Sequence, residues 1–171
     1  MKKIKIDVRR TVTLSLLVSV ALMLSYVESL IPPFIAIPGV KIGLANSVTV
    51  FALYLLDIRS AVIISVLRVS LASLLFGSPV TFIYSIVGAA LSILVMALLR
   101  RIDFFSAIGV SALGGVAHNL GQVAVAALIM ENAGLLYYFS LLIVAGVAAG
   151  AAIGVISALL VSKIEPIIKK L

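Results

Sequence analysis

Six apolar stretches separated by short breaks occupy nearly the whole chain, and they constrain its fold more than any other feature. A helix needs about 20 apolar residues to cross the hydrocarbon core of a bilayer. The sequence therefore predicts six transmembrane helices, at residues 11–31, 41–56, 60–76, 80–99, 104–130 and 134–162. The second and third are short, whereas the last two are long enough to tilt or break, and Gly114-Gly115 is the predicted break.

Composition excludes a soluble globular domain, because 64% of the 171 residues are hydrophobic and 11% are charged. The net charge of +7 comes from basic clusters between the apolar stretches, where the positive-inside rule places them, so no nucleic-acid partner is predicted. With the N-terminus inside, all 13 basic residues except Lys41 and Arg68 lie on the cytoplasmic side. We predict an all-α integral membrane bundle of six helices in contact with lipid in the plasma membrane, with both termini cytoplasmic.

The first ten residues and the following apolar run have the basic and apolar regions of a secretory signal peptide. The apolar run is long and no small-x-small cleavage site follows it, which favours a retained first helix. No internal repeat or low-complexity linker is evident. We therefore predict a single membrane domain over residues 1–171.

Arg68 lies eight residues from either end of the third predicted span, near the centre of the bilayer. Arginine at that depth costs about 2.5 to 3.5 kcal/mol on insertion scales, so it is expected to face a partner, a cavity or a ligand. One interpretation is an internal ion pair or a carbonyl cap, and the other is a polar ligand site. Glu28, near the outer end of the first span, is the predicted counter-charge when the site is empty.

A polar stripe marks the fifth span, because Gly115, His118, Asn119 and Gln122 fall on one helical face at i, i+3, i+4 and i+7. That face is not expected to meet lipid. The side chains satisfy either a neighbouring helix or a cavity. No metal site is predicted, because His118 is the single histidine, the chain has no cysteine, and no carboxylate shares its turn.

The segment "PGVKIGLAN", residues 38–46, is predicted to open the second helix at the end of an extracellular loop. Lys41, the amides of a helix N-terminus and Asn46 would form a cradle for a carboxylate, phosphate or carbonyl group. The alternative is a lysine that snorkels to head groups and a glycine that packs a helix crossing. The loop at residues 31–39 is the predicted lid.

Depth along the spans places these groups around one cavity open to the exterior. The predicted substrate contacts are Lys41, Asn46, Arg68, His118, Asn119 and Gln122, with Glu28 as counter-charge.

Two ridges of small residues indicate close helix contacts. One contains Gly146, Gly150, Gly154 and Ala158 and is predicted to be internal packing. The other contains Thr11, Ser15 and Ser19 and is either internal packing or a docking face for a partner subunit.

No catalytic residues and no cofactor are predicted. The six acids are scattered singly, which leaves no paired carboxylates and no acidic metal cluster. No glycine-rich phosphate loop followed by Lys-Ser or Lys-Thr is present, so ATP hydrolysis is not expected of this chain itself.

The motifs "PGVKIGLAN", "RVSLASLLFGSP", "YSIVGAALS" and "GVSALGGVAHNLGQ", in this order, resemble the bacterial Gx transporter proteins, also labelled heptaprenyl diphosphate synthase component I. That family is similar in size and organisation to the S components of energy-coupling-factor (ECF) transporters, six-helix proteins that capture vitamins or their precursors from outside. The resemblance implies that Thr11, Ser15 and Ser19 dock onto a transmembrane coupling subunit bound to two ATPase subunits.

The leading hypothesis is the substrate-binding component of an ECF-type uptake transporter. A prenyl synthase would imply aspartate-rich motifs, and the chain has no two adjacent acids. Some family members also resemble components of flavin-linked extracellular electron-transfer systems. The alternative is therefore a membrane subunit of a prenyl-lipid, quinone or flavin-linked assembly.

A self-sufficient secondary transporter is disfavoured by small size and by the lack of evident repeated halves.

Overall fold

The computed structural model describes residues 8–30 and 43–168, and this part of the chain is helical without strands. The helices are α1 Val8–Leu30, α2 Asn46–Leu55, α3 Ile58–Phe76, α4 Pro79–Leu99, α5 Ala107–Ile129 and α6 Phe139–Ile168, with a 3-10 helix at Ala133–Tyr138. In these residues, every helix of the set except α2 is long and apolar enough to cross a membrane. The predicted all-α membrane bundle is confirmed.

Polar N-caps fix where three of the spans begin. Asp57 caps α3, Ser78 forms a capping box with Thr81 at the start of α4, and Ser106 caps α5. Each cap side chain accepts a hydrogen bond from a backbone N–H that has no partner within the helix. Apolar runs set the length of these spans, and caps of this kind set the residue at which they start.

Three predicted features of the spans are wrong. The helix α2 starts at Asn46 rather than at residue 41, because Gly43 has φ +78°, which no α-helix accommodates. The helix α5 continues through Gly114-Gly115 without a break. The last predicted span is divided, since a 3-10 helix precedes α6, and α6 runs past the predicted end with Pro166 inside it.

The glycines that were expected to break α5 or line a ridge are used for close packing of α5 against α6. A Cβ atom on Gly115 would collide with the carbonyl oxygen of Gly146. A Cβ atom on Gly154 would lie 2.7 Å from Cα of Ile108. The backbones of the two helices therefore meet almost directly. The prediction that the glycine ridge of α6 is internal packing is confirmed.

An ion pair and other polar contacts join several helix ends at one end of the bundle. The Arg10 guanidinium donates to the Asp57 carboxylate at 2.9 Å, which joins the start of α1 to the turn between α2 and α3. The Arg100 guanidinium donates to the Leu53 carbonyl and lies 5.1 Å from the centre of the Tyr54 ring. Arg10 and Arg100 thus share one end of the bundle, as the predicted topology requires.

The apolar core lies toward this same end. It contains Val50 and Leu53 of α2, Ile64 of α3, Ile93 of α4 and Ile153 of α6, all of them buried. The helix α2 is short and is buried along most of its length. It therefore fills only this half of the bundle and does not reach into the other half. The other half is left to a cavity.

Enlarging Gly150 is expected to force α5 and α6 apart. A Cβ atom there would lie 2.5 Å from the Ser111 carbonyl oxygen and 2.7 Å from Cα of Ala112. Gly150→Ala should therefore lower the free energy of unfolding by about 1–3 kcal/mol. The measurement is the thermal unfolding midpoint of the purified protein in detergent. The matched control is Gly109→Ala, whose nearest atoms would lie at 3.7 Å and which should leave the midpoint unchanged or higher. Equal effects of the two changes would contradict the packing.

The N-cap Asp57 is expected to give the protein an acid-sensitive contribution to stability. The Ser60 backbone N–H donates to the carboxylate at 2.7 Å and holds the pKa of Asp57 below its ordinary value, with a further contribution from the Arg10 charge. A carboxyl with a lowered pKa contributes stability that is complete above the unfolded pKa and is lost as pH falls through the folded pKa.

We therefore expect Asp57→Ala to destabilise the protein by about 1 kcal/mol at neutral pH. The difference from the wild type should shrink as the pH falls below about 4. Unfolding midpoints measured across that range provide the check. Asp103→Ala, which removes an exposed acid from the loop before α5, serves as control. A difference between wild type and Asp57→Ala that stays constant into acid would show that the carboxylate is not involved.

Candidate functional site

A cavity of about 160 Å³ lies between the helices, and all six of them contribute to its wall. A buried water occupies about 10–15 Å³ on this scale, so a cavity of this size has room for a small organic molecule. Its polar wall consists of Ser25, Glu28, Ser29, Asn46, Arg68, Ser73, Thr81, Ser85, Ser92, Ser111, His118, Asn119 and Gln122.

Among the Lys and Arg residues that the structure describes, Arg68 is the one that lines the cavity. It lies eight residues before the end of α3, which is about 12 Å along the helix axis. Its Nη2 donates to Oδ1 of Asn46 at 3.0 Å. Its Nε is buried and has no hydrogen-bond partner within residues 8–30 and 43–168. One donor of the guanidinium is therefore satisfied by the protein, and the buried Nε is left without a partner among these residues.

The carboxylate of Glu28 is held by the backbone rather than by Arg68. It accepts a hydrogen bond from the N–H of Gly43, just before α2. In the described residues the direct salt bridge is that between Arg10 and Asp57. Glu28 nevertheless acts on Arg68 as the predicted counter-charge, because its negative charge favours the charged guanidinium. The hydrogen bonds of the two groups go elsewhere, from Gly43 to the acid and from the base to Asn46.

The helix α2 begins inside the bundle, since its first residue, Asn46, contacts Arg68 midway along α3. Its ten residues span about 15 Å, which is half the thickness of a hydrocarbon core. Its N-cap residue, Ala45, makes no side-chain cap hydrogen bond, and the Glu28 carboxylate lies beside it at Gly43. The positive end of the α2 dipole therefore faces the cavity wall beside Arg68.

The polar stripe of α5 lies in the cavity wall, as its spacing indicated. His118 and Gln122 lie over Gly88 of α4, where a Cβ atom would come within 3.1 Å of His118 Cε1 and 2.9 Å of Gln122 Cγ. Asn119 turns its amide nitrogen to the Leu142 carbonyl at 2.8 Å, which joins α5 to α6. Both interpretations of the stripe thus hold: part of it satisfies a neighbouring helix, and all of it lines a cavity.

The structure brings together six of the seven predicted contact residues. Lys41, the seventh, lies outside the described residues, as does the predicted lid at residues 31–39. The six residues that line the cavity are Glu28, Asn46, Arg68, His118, Asn119 and Gln122. Their contact with a substrate stays a prediction.

Sequence reasoning missed the serines in the deeper part of the cavity. Ser85 and Ser92 lie on one face of α4 at i and i+7, with Gly88 between them, and Ser111 lies four residues before Gly115 of the polar stripe. Helical spacing alone would have extended each polar face to include them. Their neighbours at the deep end are apolar, namely Val50, Met96 and Ile153.

These features define a multi-pass, all-helical membrane protein with a polar cavity between its helices. The family model for heptaprenyl diphosphate synthase component I matches residues 17–160, and the chain belongs to this family. The match covers every described residue of the cavity wall but not Thr11 or Ser15. No curated protein and no solved structure matches the chain. The family description indicates a component that works with other subunits.

Potential metal ligands are sparse at this site. In residues 8–30 and 43–168, no three His, Cys, Asp or Glu side chains lie together in a group that could hold a metal ion. Glu28 and His118 are the cavity-lining members of that set. The cavity is instead suited to a ligand bound through hydrogen bonds and charge.

The contact between Arg68 and Asn46 yields a test of the cavity wall. Asn46→Ala removes the acceptor and leaves another guanidinium donor without a partner, which should destabilise the protein by about 1–3 kcal/mol. Asn46→Asp keeps an acceptor and adds a counter-charge, so its unfolding midpoint should equal or exceed that of the wild type. If both variants were equally destabilised, a hydrogen bond accepted by the residue 46 side chain from Arg68 would not be what stabilises this wall.

Proposed function

We propose that the protein is the substrate-binding component of an ATP-driven uptake transporter of the ECF type in the plasma membrane. In this proposal it captures a small polar molecule, such as a vitamin or a cofactor precursor, from the exterior. The cavity carries the proposal: it is polar, it is lined by all six helices, and it ends on the apolar core rather than crossing the bundle.

The cavity has the form of a one-sided binding site. Glu28, Ser29 and Thr81 line it near the ends of α1 and α4 that lie opposite the Arg10–Asp57 end. Tyr26 and Phe76 make a tilted ring contact, with 5.1 Å between ring centroids, beside that end of the cavity, and Phe76 is part of its wall. At the other end the buried core closes the path. A molecule captured there is released inward only if the helices move, and that movement requires an energy source.

In this proposal ATPase partners supply the energy, since the chain has no phosphate-binding loop of its own. The exposed face of α1 is suited to the first of these contacts, with a transmembrane coupling subunit. Ser15 and Ser19 are exposed there between Val12, Leu16 and Val20, which are 52%, 62% and 40% exposed. The Ser19 hydroxyl donates to the Ser15 carbonyl at 2.9 Å, so it is satisfied within the helix. The face therefore offers small, apolar-compatible residues to another helix.

Prenyl synthesis by this chain itself is not part of the proposal. A diphosphate held through magnesium needs several carboxylates, whereas Glu28 is the acid that the described cavity wall provides. The proposed role is binding without catalysis.

The family description favours a second candidate function, a membrane subunit of a prenyl-lipid, quinone or flavin-linked redox assembly. In that role the cavity holds a head group or stabilises the subunit, and the partner is an enzyme rather than a pair of ATPases. The two candidates differ in which proteins accompany the chain.

Copurification of the tagged full-length chain from its native membrane distinguishes them. We expect a transmembrane coupling subunit and ATPase subunits in the complex. Ser19→Trp places a bulky ring on the proposed docking face and should release these subunits while leaving the unfolding midpoint unchanged. Ser162→Trp is the control, since Ser162 is also exposed on a helix and also bonds a backbone carbonyl of its own helix. It should keep the subunits bound.

A prenyl or redox enzyme in place of the ATPases would move the assignment to the second candidate. Uptake by the purified chain alone in liposomes would show that no ATP-driven partner is required.

A further inference from the structure

We infer that the cavity selects a small organic monoanion with an uncharged body, and that its acidic group binds between Arg68 and the N-terminus of α2. This inference rests on the proposed function, in which the cavity is the capture site. It adds the chemical class of the captured molecule. Three features of the wall carry it: a donor left by Arg68, the start of α2, and the distribution of charge with depth.

The first feature is the buried Nε of Arg68, which has no hydrogen-bond partner among the described residues. A buried donor of a charged group without a partner is more destabilising than an unpaired donor of a neutral group. The guanidinium presents its donors as a planar fork that matches the two oxygens of a carboxylate. Because Nη2 already holds Asn46, an acidic group of the ligand completes the guanidinium by binding at Nε.

The second feature is the N-terminus of α2, whose N-cap residue Ala45 makes no side-chain cap hydrogen bond. The Gly43 N–H just before it donates to Glu28, and the N–H groups of Asn46 and Ser47 donate to backbone carbonyls, so this helix end acts on a ligand through its dipole. Asn46, the first residue of α2, contacts Arg68 and therefore places this helix end beside the guanidinium. Anions are stabilised at helix N-termini by the helix dipole and by backbone N–H groups. The charge of Arg68 and the dipole of α2 thus favour the same sign of ligand at the same place.

The third feature is the order of charges along the cavity. Glu28 lies near the outer end of α1, Arg68 lies deeper, and the deepest part is formed by Val50, Met96 and Ile153 with the hydroxyls of Ser92 and Ser111. Within the part of the cavity wall that the structure describes, a diphosphate would set several negative charges against one arginine and close to Glu28. A single acidic group matches Arg68. The neutral deep end is suited to an uncharged body that has at most a few hydrogen-bonding groups.

Three probes that share one ring test this selectivity: benzoate, benzamide and benzylammonium. Each is added at millimolar concentration to the purified full-length protein, and the shift of the unfolding midpoint is used to derive a dissociation constant. We expect benzoate to bind about tenfold or more tightly than benzamide, since a hydrogen bond to a charged group contributes about 1.5–3 kcal/mol. Benzylammonium should not stabilise the protein.

Variants then assign the selectivity to Arg68. Arg68→Gln should abolish the stabilisation by benzoate. Arg101→Gln, which removes an exposed arginine outside the cavity, should retain it. If Arg68→Gln does not fold, Arg68→Lys keeps the charge but lacks the fork, and its affinity for benzoate should fall about tenfold.

Several outcomes overturn the inference. They are equal stabilisation by benzamide, preference for benzylammonium, no stabilisation by any probe, and full retention of the benzoate effect in both Arg68 variants. Because the probes are tested on the chain alone, this result is independent of the copurification experiment. Missing ATPase partners would remove the transport role and leave the anion selectivity in place, whereas loss of selectivity would leave the partners unaffected.

Discussion

The placement of one arginine in an apolar interior governs the architecture of this half of the bundle. Arg68 costs about 2.5–3.5 kcal/mol to insert near the bilayer centre, and its neighbours reduce that cost. Asn46 accepts from it, which requires α2 to begin at that depth. The left-handed turn at Gly43 allows this late start, and its N–H holds Glu28 nearby. The short second helix and the cavity are thus two consequences of accommodating one guanidinium.

Small residues provide the complementary constraint on the opposite wall. Lipid tails are as apolar as side chains, so helices in a membrane associate through close packing rather than through a hydrophobic driving force. The backbones of α5 and α6 meet at Gly115 and Gly146, and α4 meets α5 at Gly88 and Gly121, where a Cβ atom on Gly121 would lie 2.8 Å from Cα of Gly88. The helices α4, α5 and α6 thus pack on one another through their glycines and do not depend on side chains at the centre of the bundle. The cavity lies between these three helices and α3.

Much of this arrangement could be predicted from the sequence, for identifiable reasons. Hydropathy determines which stretches span, and helical periodicity places His118 and Gln122 on one face, so both predictions hold. The start of α2 could not be predicted, because it depends on Gly43 and on the contact between Asn46 and Arg68, which lie 22 residues apart in the chain. The unbroken α5 at Gly115 depends in the same way on a glycine of α6. A glycine permits either a bend or a close approach, and the neighbouring helix decides between them.

The two functional surfaces of the proposed capture component are connected through α1. Near one end of this helix, Glu28 contacts the start of α2 at the cavity, and nearer the other end Ser19 is exposed on the face proposed for docking. Nine residues separate them, or about 13 Å of continuous helix. An anion bound at Arg68 would repel the Glu28 carboxylate and weaken its contact with Gly43. Since α1 is one rigid element packed mainly on α3, a shift at Glu28 changes the position of the docking face as well. In the proposed capture component, ligand occupancy and partner contact would then be coupled through this helix.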